Sequence, residues 1–441
     1  MRQGVTRYSG SLTGGECAIS IQIKNGESTI SIIIGMILTY SYRITPSAEQ
    51  EAIMLRTLEL LRRHWNYALG QRLDWLRNTR CQIDRCSLVS EPIGEISGRV
   101  DYYTQQADLK QTKVLFPEYR EIWAESQQVN LQRLKKAWER WMIPDLRGKR
   151  GGRPRFKKSG ELRSFVYPRV NDKRAGAHLN NGVLKLSKIG SIPVVMHRPL
   201  PDGFTLKTCT IVRKADGWYA CFSLANDTVP TPVPLDKVKT GVGIDVGLKE
   251  FLATSDGQTV PVQQIYRKAQ ARLARQQRKL ARKTNKSSRN AIKQKNRVAR
   301  VHQRIQRQRK DFHYKIAHWL VKTYDLIAVE DLNIRGLART KLAKSVLDVA
   351  WGQFITILEV VGVKSGVRVV KVNPYNTTQD CSQCGVKVPK DLSIRTHECP
   401  KCGLELDRDI NAAVNILSRA LSLWRPRGYS ACEARSSSPR I

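Results

Sequence analysis

The sequence has no apolar run long enough to cross a membrane. The apolar stretch ISIIIGMIL, at residues 30–38, is far shorter than the ~20 residues that a membrane helix requires. It follows the polar segment KNGEST and leads into YSYRI without a small-residue cleavage site, so it does not resemble a signal peptide either. We therefore expect no membrane partner.

Acidic residues are scarce as well. The 441 residues include 38 Asp or Glu against 76 Lys or Arg, which gives a formal net charge of +38. A field of this size favours a polyanionic partner, most simply nucleic acid. The alternative, a basic surface that is merely solvated, fits a smaller excess of charge better. A hydrophobic content of 41% is enough for the cores of roughly two to four domains.

The chain has ten cysteines but no disulfide framework. Four of them form two Cys-x-x-Cys pairs, Cys381 with Cys384 and Cys399 with Cys402, separated by fourteen residues. This doubled spacing is typical of a structural zinc site, because four thiolates leave no open position for water. His397 lies beside the second pair, either as a competing ligand or as a residue at the rim. The cysteine usage indicates a reducing compartment.

Hydrophobic periodicity separates a helical region from a β-rich region in the first half of the chain. LTYSYRI, at residues 38–44, alternates as a strand does, and Thr45-Pro46-Ser47 can cap the amphipathic helix that follows. Helical patterns continue to about Trp141 and end at the basic break RGKRGGRPRFKK. Short alternating segments then predict the strands of a small barrel, and VPTPVPLDK indicates a linker.

Residues 267–310 contain eighteen Lys or Arg and no acid. The segment TNKSSRN divides them into two predicted helices, of which the second carries apolar residues at three- to four-residue spacing. One face of the hairpin can therefore pack while the others stay charged. Since nothing in the segment neutralises this charge, we expect contact with nucleic-acid phosphates, the alternative being a solvated face.

Three acidic residues stand at the ends of predicted elements in the second half. Asp245 ends the strand GVGID, Glu330 ends LIAVE, and Asp409 precedes the helix INAAVNIL, with Asp407 as the alternative third acid. Each has an ordinary use on its own, as a turn, strand-end or N-cap residue. Asp245 and Glu330 would lie side by side if their strands are parallel neighbours. Together the three carboxylates can bind two divalent cations, most simply Mg2+, and hydrolyse a phosphodiester.

At these motifs the sequence resembles the TnpB family, the RNA-guided nucleases encoded by insertion sequences and related to type V CRISPR effectors. The segments that carry the resemblance are YSYRITPSAEQ, RQQRKLARK, GIDVGLKEFLATSDG, VEDLNIRGL, VNPYNTTQDCSQCG, LSIRTHECPKCG and DRDINAAVNIL. The match covers most of the chain after about Met36, and the first 35 residues have no counterpart in it. It implies Asp245, Glu330 and Asp409 as the catalytic Mg2+ ligands.

The resemblance implies a multidomain α+β fold. An oligonucleotide-binding β-barrel wedge with a helical recognition insertion would precede an RNase H-like (RuvC-type) nuclease domain that carries an inserted zinc ribbon. The expected boundaries are an extension, disordered or a start-site artefact, at 1–35; the first wedge strand at 36–47; the helical domain at 48–146; the wedge barrel at 147–235; the nuclease at 236–375, with the basic hairpin at 267–322; the zinc knuckle at 376–404; the third acidic motif at 405–424; and a disordered tail at 425–441.

The same resemblance implies a function. A guide RNA derived from the transposon end would direct cleavage of double-stranded DNA next to a short flanking motif, in the cytoplasm of a prokaryotic cell and near its nucleoid. Mg2+ (two ions), Zn2+ (one structural ion) and the guide RNA would be the cofactors. The alternatives are a nuclease-inactive, RNA-guided repressor and a transposition accessory protein. A transposase that joins DNA ends lacks support, because the sequence shows no paired-histidine motif or tyrosine nucleophile for it.

Overall fold

The computed structural model describes residues 7–8, 17–26, 29–80, 98–146, 148–234, 237–391 and 394–423. The predicted disordered tail, residues 425–441, lies outside these ranges, as does part of the predicted extension 1–35. The chain forms two compact units: Ile37–Asn226 is one, and Met1–Met36 with Asp227–Ile441 is the other.

Runs of successive helices and runs of successive strands form a mixed α/β architecture. The strands are β1 Arg7–Tyr8, β2 Cys17–Gly26, β3 Thr29–Ile44, β4 Ser164–Tyr167, β5 Ala177–Asn180, β6 Val183–Leu186, β7 Gly190–Val195, β8 Thr205–Lys214, β9 Gly217–Asn226, β10 Gly241–Asp245, β11 Glu250–Thr254, β12 Thr259–Pro261, β13 Leu326–Glu330, β14 Arg368–Val372, β15 Thr396–Glu398 and β16 Glu405–Asp407. The helices are α1 Ala48–Arg80, α2 Tyr102–Ala107, α3 Leu109–Leu115, α4 Ala124–Met142, α5 Ile265–Ala281, α6 Arg289–Thr323, α7 Ile334–Leu337, α8 Ala343–Val349, α9 Trp351–Ser365 and α10 Arg408–Ser422.

The unit Ile37–Asn226 combines helices with a sheet curled into a half-barrel, whose strand order is β4-β8-β9-β3-β7-β6-β5. The predicted strand at 38–44 is confirmed, although β3 begins earlier, at Thr29. Ser47 caps α1 as expected: its hydroxyl accepts a hydrogen bond from the backbone N–H of Gln50 at 3.2 Å, while the Gln50 side chain accepts one from the Ser47 N–H at 3.0 Å. The second half of α1 packs against α4 through Trp65, Leu69 and Trp138, among others.

The other unit is built on a five-stranded sheet of order β12-β11-β10-β13-β14. Strands β10, β13 and β14 are parallel, and β11 runs antiparallel to β10. Alternate residues of a strand point to opposite faces, so the sheet has two distinct surfaces. One surface, which includes Val242, Ile244 and Val329, belongs to a core shared with α6 and α9. The other, which includes Leu326 and Ala328, packs against α10.

The predicted division of the basic segment is confirmed, since α5 ends at Ala281 and α6 begins at Arg289. A hairpin turn at Asp256-Gly257, a pair typical of such turns, joins β11 to β12, with Gly257 at φ 87°, a backbone conformation that favours glycine. Both features rest on local sequence signals that tertiary packing does not override.

One stretch of the described chain, Ala343–Ser365, is long and apolar enough to span a membrane by length and composition, which corrects the expectation that no segment approaches that threshold. More than half of the stretch is buried inside the protein. Phe354 and Leu358 lie fully buried in the core beneath the central sheet. A core helix therefore explains the composition.

Candidate active site and metal centre

Asp245 and Glu330 end two neighbouring parallel strands. The register pairs Val242 with Ile327 and Ile244 with Val329, so the next residue of each strand is one of the two acids. In-register residues of adjacent strands point to the same face. The expectation that the two strands are parallel neighbours is therefore confirmed, and both carboxylates stand on the face that α10 covers.

Glycine in β10 lets α10 lie directly on this face. A Cβ at Gly243 would stand 1.9 Å from the carbonyl oxygen of Ala413 and 2.8 Å from the backbone nitrogen of Leu417. From Gly243 to Asp245 the strand advances roughly 6.6 Å, and from Ala413 back to Asp409 the helix covers roughly 6 Å. This match brings Asp409, in the first turn of α10, towards the strand ends.

The structure gives Asp407 and Asp409 different positions. Asp407 is the N-cap of α10, and its Oδ1 accepts hydrogen bonds from the backbone N–H groups of Asp409 at 2.8 Å and Ile410 at 3.3 Å. The side chain of Asp409 is 17% exposed, and its Oδ2 lies 3.8 Å from Nη1 of Arg395. The capping carboxylate of Asp407 is thus committed to the helix end, whereas that of Asp409 remains available.

The electrostatics of the site reflect three acids that are partly or fully buried near one another. Burial first, and then the charges of Glu330 and Asp409, raise the pKa of Asp245 from 3.8 to about 8, against the opposing effect of Arg408. Burial also raises the pKa of Glu330, which is 8% exposed, although the hydroxyl of Thr377 and the charge of Arg419 oppose the shift. Carboxylate oxygens are hard donors that fit a divalent cation such as Mg2+.

The three carboxylates do not form a ready-made ligand cluster. Within the described residues, the group of three or more potential metal ligands that lies close together consists of the four cysteines. The charges of Glu330 and Asp409 contribute to the raised pKa of Asp245. The carboxylate oxygens of the three acids are nevertheless not as close to one another as the four sulfur atoms are.

Thr377 is a member of the site that the sequence reasoning missed. Its hydroxyl donates a hydrogen bond to Oε1 of Glu330 at 2.5 Å, and the residue is 2% exposed. No sequence signal marks it, because the contact joins two residues 47 positions apart.

The four predicted zinc ligands come together. All four Sγ atoms lie within 4.8 Å of one another, with Cys381 to Cys402 at 3.6 Å and Cys384 to Cys399 at 3.5 Å. A tetrahedron with Zn–S bonds of about 2.3 Å has sulfur–sulfur edges of about 3.8 Å, so the cluster has the size that zinc requires. The four cysteines could therefore hold a zinc ion.

Two similar turns build this cluster. In the first, the Gly385 N–H donates to the carbonyl of Cys381, and in the second the Gly403 N–H donates to that of Cys399, both at 2.9 Å. These glycines have φ of 73° and 70°, a left-handed backbone conformation that glycine adopts without steric cost. Backbone N–H groups of Cys402 and Lys401 help lower the pKa of Cys399 to about 6, which favours the thiolate. His397 is fully buried and its Nδ1 contacts Nζ of Lys390, apart from the thiol cluster.

A basic groove of about 1040 Å³ runs between α5 and α6. Lys268 and Arg272 line it from α5, and Arg297 and Arg304 line it from α6. Their side chains are exposed, and in the described part of the chain Lys268, Arg272 and Arg304 have no acidic partner within 4 Å. Leu273, Val301 and Ile305 form the apolar seam that holds the two helices together.

Comparison with known proteins places these features in a family. Residues 226–341 match a family model described as a probable transposase, residues 351–416 match a Cas12f1-like TNB domain, and residues 36–81 match a helix-turn-helix domain. A protein of Streptomyces pristinaespiralis named as an RNA-guided DNA endonuclease is 31% identical over 413 residues, which cover 90% of this chain and 94% of that protein.

Two further similarities are more limited. The TnpB-like protein L79 of Acanthamoeba polyphaga mimivirus is 33% identical over 214 residues, 44% of this chain and 41% of that protein. A solved complex of Cas12f1 with its single guide RNA and target DNA aligns with a TM-score of 0.30 and 15% identity, over 87% of this chain and 99% of that one. On the end-to-end match to the Streptomyces protein and the family models, the chain belongs to the TnpB family.

Proposed function

We propose that the chain is an RNA-guided, metal-dependent DNA endonuclease of a mobile element, which cuts double-stranded DNA beside a short transposon-adjacent motif. The observation that carries the proposal is the placement of Asp245 and Glu330 on one sheet face, under α10, which carries Asp409 in its first turn. Membership of the TnpB family, in which the Streptomyces relative is named as an RNA-guided DNA endonuclease, supports it.

The finer fold assignment belongs to the same proposal. The sheet β12-β11-β10-β13-β14 with α10 on one face and α6 and α9 on the other would be the RNase H-like (RuvC-type) domain. The curled sheet of the other unit would be the oligonucleotide-binding wedge, with α1 to α4 as its helical recognition domain. The hairpin β15–β16 and the four cysteines would form the inserted zinc ribbon.

Asp245, Glu330 and Asp409 would hold two Mg2+ ions, which when bound supply the positive charge that activates water and stabilises the leaving oxygen. The protein's own contribution is to hold three carboxyl groups in a partly buried place, where burial first, and then the charges of Glu330 and Asp409, raise the pKa of Asp245. Bound cations would favour the ionised form of this group. Cys381, Cys384, Cys399 and Cys402 would hold one structural Zn2+ ion that takes no part in hydrolysis.

The partners follow from charge and family. A guide RNA derived from the transposon end and the target DNA would both be bound through phosphates, since sequence is read by base pairing in this division of labour. The groove between α5 and α6 is the surface we assign to phosphate contact, because Lys268, Arg272 and Arg304 line it and have no acidic partner within 4 Å in the described part of the chain. A cytoplasmic, nucleoid-associated location agrees with such partners.

The test compares two acidic residues that are adjacent in the sequence. Glu330→Gln and Asp331→Asn each remove one negative charge, but Glu330 is buried at the strand end whereas Asp331 is exposed. With the guide RNA that copurifies with the chain and a matched plasmid in Mg2+, we expect Glu330→Gln to stop cutting and Asp331→Asn to cut normally. If Glu330→Gln cuts at the parental rate, the site assignment is wrong. If the parental complex binds target DNA and never cuts it, the RNA-guided repressor takes the place of the nuclease.

A further inference from the structure

One polar stripe of α10 fastens the segment between β14 and the cysteine cluster onto the helix. Asn411, Asn415 and Arg419 follow one another at four-residue spacing, which places them on one side of α10. All three bind residue Asp380: the two asparagine side chains donate to its carbonyl oxygen at 2.9 and 2.7 Å, and Nη2 of Arg419 pairs with its Oδ2 at 2.9 Å. A single helix face thus holds the start of the first cysteine turn.

The same stripe fixes the residues on either side of Asp380. Asn415 also donates to the carbonyl of Thr377 at 2.9 Å, and Oδ1 of Asn411 accepts the backbone N–H of Ser382 at 2.9 Å. Ser382 lies inside the Cys381–Cys384 turn. Helix α10 therefore binds the chain both at Thr377 and inside the Cys381–Cys384 turn.

Thr377 connects this hydrogen-bonded segment to Glu330. Its hydroxyl has one proton, and of the two acceptors within reach the Oε1 atom of Glu330 at 2.5 Å is closer than the carbonyl of Pro374 at 3.2 Å. One oxygen of Glu330 is thereby fixed, and among the described residues no side chain hydrogen-bonds the other. A carboxylate held by one oxygen presents its second oxygen in a defined direction.

The backbone before Thr377 is shaped for this contact. Asn376 has φ 58°, in the left-handed region that asparagine tolerates better than other non-glycine residues, and its carbonyl accepts the N–H groups of Gln379 at 3.0 Å and Asp380 at 2.9 Å. A conformation of this kind is kept only where its surroundings determine it, as the stripe on α10 does here.

We propose that Thr377 is a positioning residue for Glu330, and that the stripe Asn411–Asn415–Arg419 couples zinc binding by the four cysteines to divalent-cation binding at Glu330. The coupling runs through covalent and hydrogen-bonded neighbours: the cluster orders the Cys381 turn, the stripe ties that turn and Thr377 to α10, and Thr377 orients Glu330. The inference rests on the proposed function only in taking Glu330 as a metal ligand.

The first experiment measures binding of Mn2+ to the purified full-length chain by the EPR signal of the free ion, with zinc content determined in the same samples. Thr377→Val keeps the shape of the side chain and removes its hydroxyl, and Thr377→Ser is the matched control that restores it. We expect Thr377→Val to weaken Mn2+ binding about 10–100-fold with zinc content unchanged, and Thr377→Ser to stay within about threefold of the parent. Equal Mn2+ affinity in Thr377→Val and the parent would overturn the positioning role.

The second experiment tests the coupling with a variant on the half-buried side of α10. Zinc is displaced from the parent and from Asn415→Ala with an organomercurial thiol reagent, and Mn2+ binding is measured before and after. We expect zinc loss to weaken Mn2+ binding in the parent but to have a smaller further effect in Asn415→Ala, because this variant lacks the side chain that binds the carbonyl groups of both Thr377 and Asp380. Equal effects in both proteins would refute the coupling. This arm does not depend on how well Thr377→Val folds.

These outcomes are separable from those of the nuclease test. A parent that binds Mn2+ through Thr377 and Glu330 but never cuts DNA contradicts the proposed function and leaves the inference standing. A parent that cuts DNA while Thr377→Val binds Mn2+ normally contradicts the inference alone.

Discussion

Gly243 of β10 lies directly under Ala413 of α10, so close that a Cβ at position 243 would stand 1.9 Å from the Ala413 carbonyl oxygen. The obstacle is backbone, which cannot rotate away as a flexible side chain can. This contact fixes the height of α10 above the sheet, and with it the distance between Asp409 and Asp245.

We predict that Gly243→Ala lifts α10 off the sheet. Overpacking of this kind costs about 1–3 kcal/mol or more, and a displacement near 1 Å at a reacting centre reduces rates about 100-fold. Thermal unfolding and plasmid cleavage measure the two effects. Gly70→Ala is the control, because a Cβ at Gly70 in α1 meets nothing within 4 Å and alanine favours a helix. Cleavage by Gly243→Ala at the parental rate would show that the close approach does not position Asp409.

The pKa of Asp245 leads to a prediction about stability. In the folded, magnesium-free protein this pKa is raised from 3.8 to about 8, so the fold holds a proton that the unfolded chain releases near pH 4. The folded state consequently loses stability as pH rises from about 4 through about 8. Asp245→Asn carries no such penalty, and in magnesium-free buffer at pH 8 it should unfold at a higher temperature than the parent while being unable to cut DNA.

The check is a series of melting temperatures between pH 5 and pH 9 for both proteins without Mg2+. The gap between Asp245→Asn and the parent should widen with pH and close when Mg2+ is added, since the cation relieves the repulsion. A gap that is constant across this range would mean that neither burial nor the charges of Glu330 and Asp409 raise the pKa of Asp245.

Local sequence signals predicted much of this site, and long-range contacts account for what they left out. Asp245, Glu330 and the four cysteines could be identified because each stands in a recognisable strand end or turn. Spacing alone could not separate Asp407 from Asp409, because both residues stand at the start of the same helix, and the family resemblance was what favoured Asp409. The N-cap hydrogen bonds of Asp407 are visible only in the structure. The sequence did not indicate the roles of Thr377 and Gly243, because their contact partners are 47 and about 170 positions away along the chain.

The cysteine cluster gives a third prediction. Cys384→Ser should lose zinc and lower the melting temperature, because the metal ties the two knuckle turns and the hairpin β15–β16 together. Cys221→Ser is the matched control: its thiol lies on β9, is not among the four clustered cysteines, and donates to the Ser41 hydroxyl at 3.3 Å. We expect about one zinc per chain in Cys221→Ser, as in the parent, when metal content is measured by mass spectrometry. Full zinc content in Cys384→Ser would mean that the four thiols do not form the site.

The groove between α5 and α6 gives the last prediction. Arg272 and Arg304 face it from opposite helices, and among the residues that the structure describes neither has an acidic partner within 4 Å, so each can neutralise a phosphate. The double variant Arg272→Gln/Arg304→Gln should bind the copurifying RNA more weakly, and the slope of log affinity against log salt should fall by about 1–2. Lys371→Gln removes a cation that Glu359 already neutralises at 2.6 Å, and should leave that slope unchanged. Filter binding over a range of salt concentrations distinguishes the two cases. If both variants and the parent show the same slope, the phosphate contacts lie elsewhere, because removing a charge that releases no counterions on binding cannot alter the salt dependence.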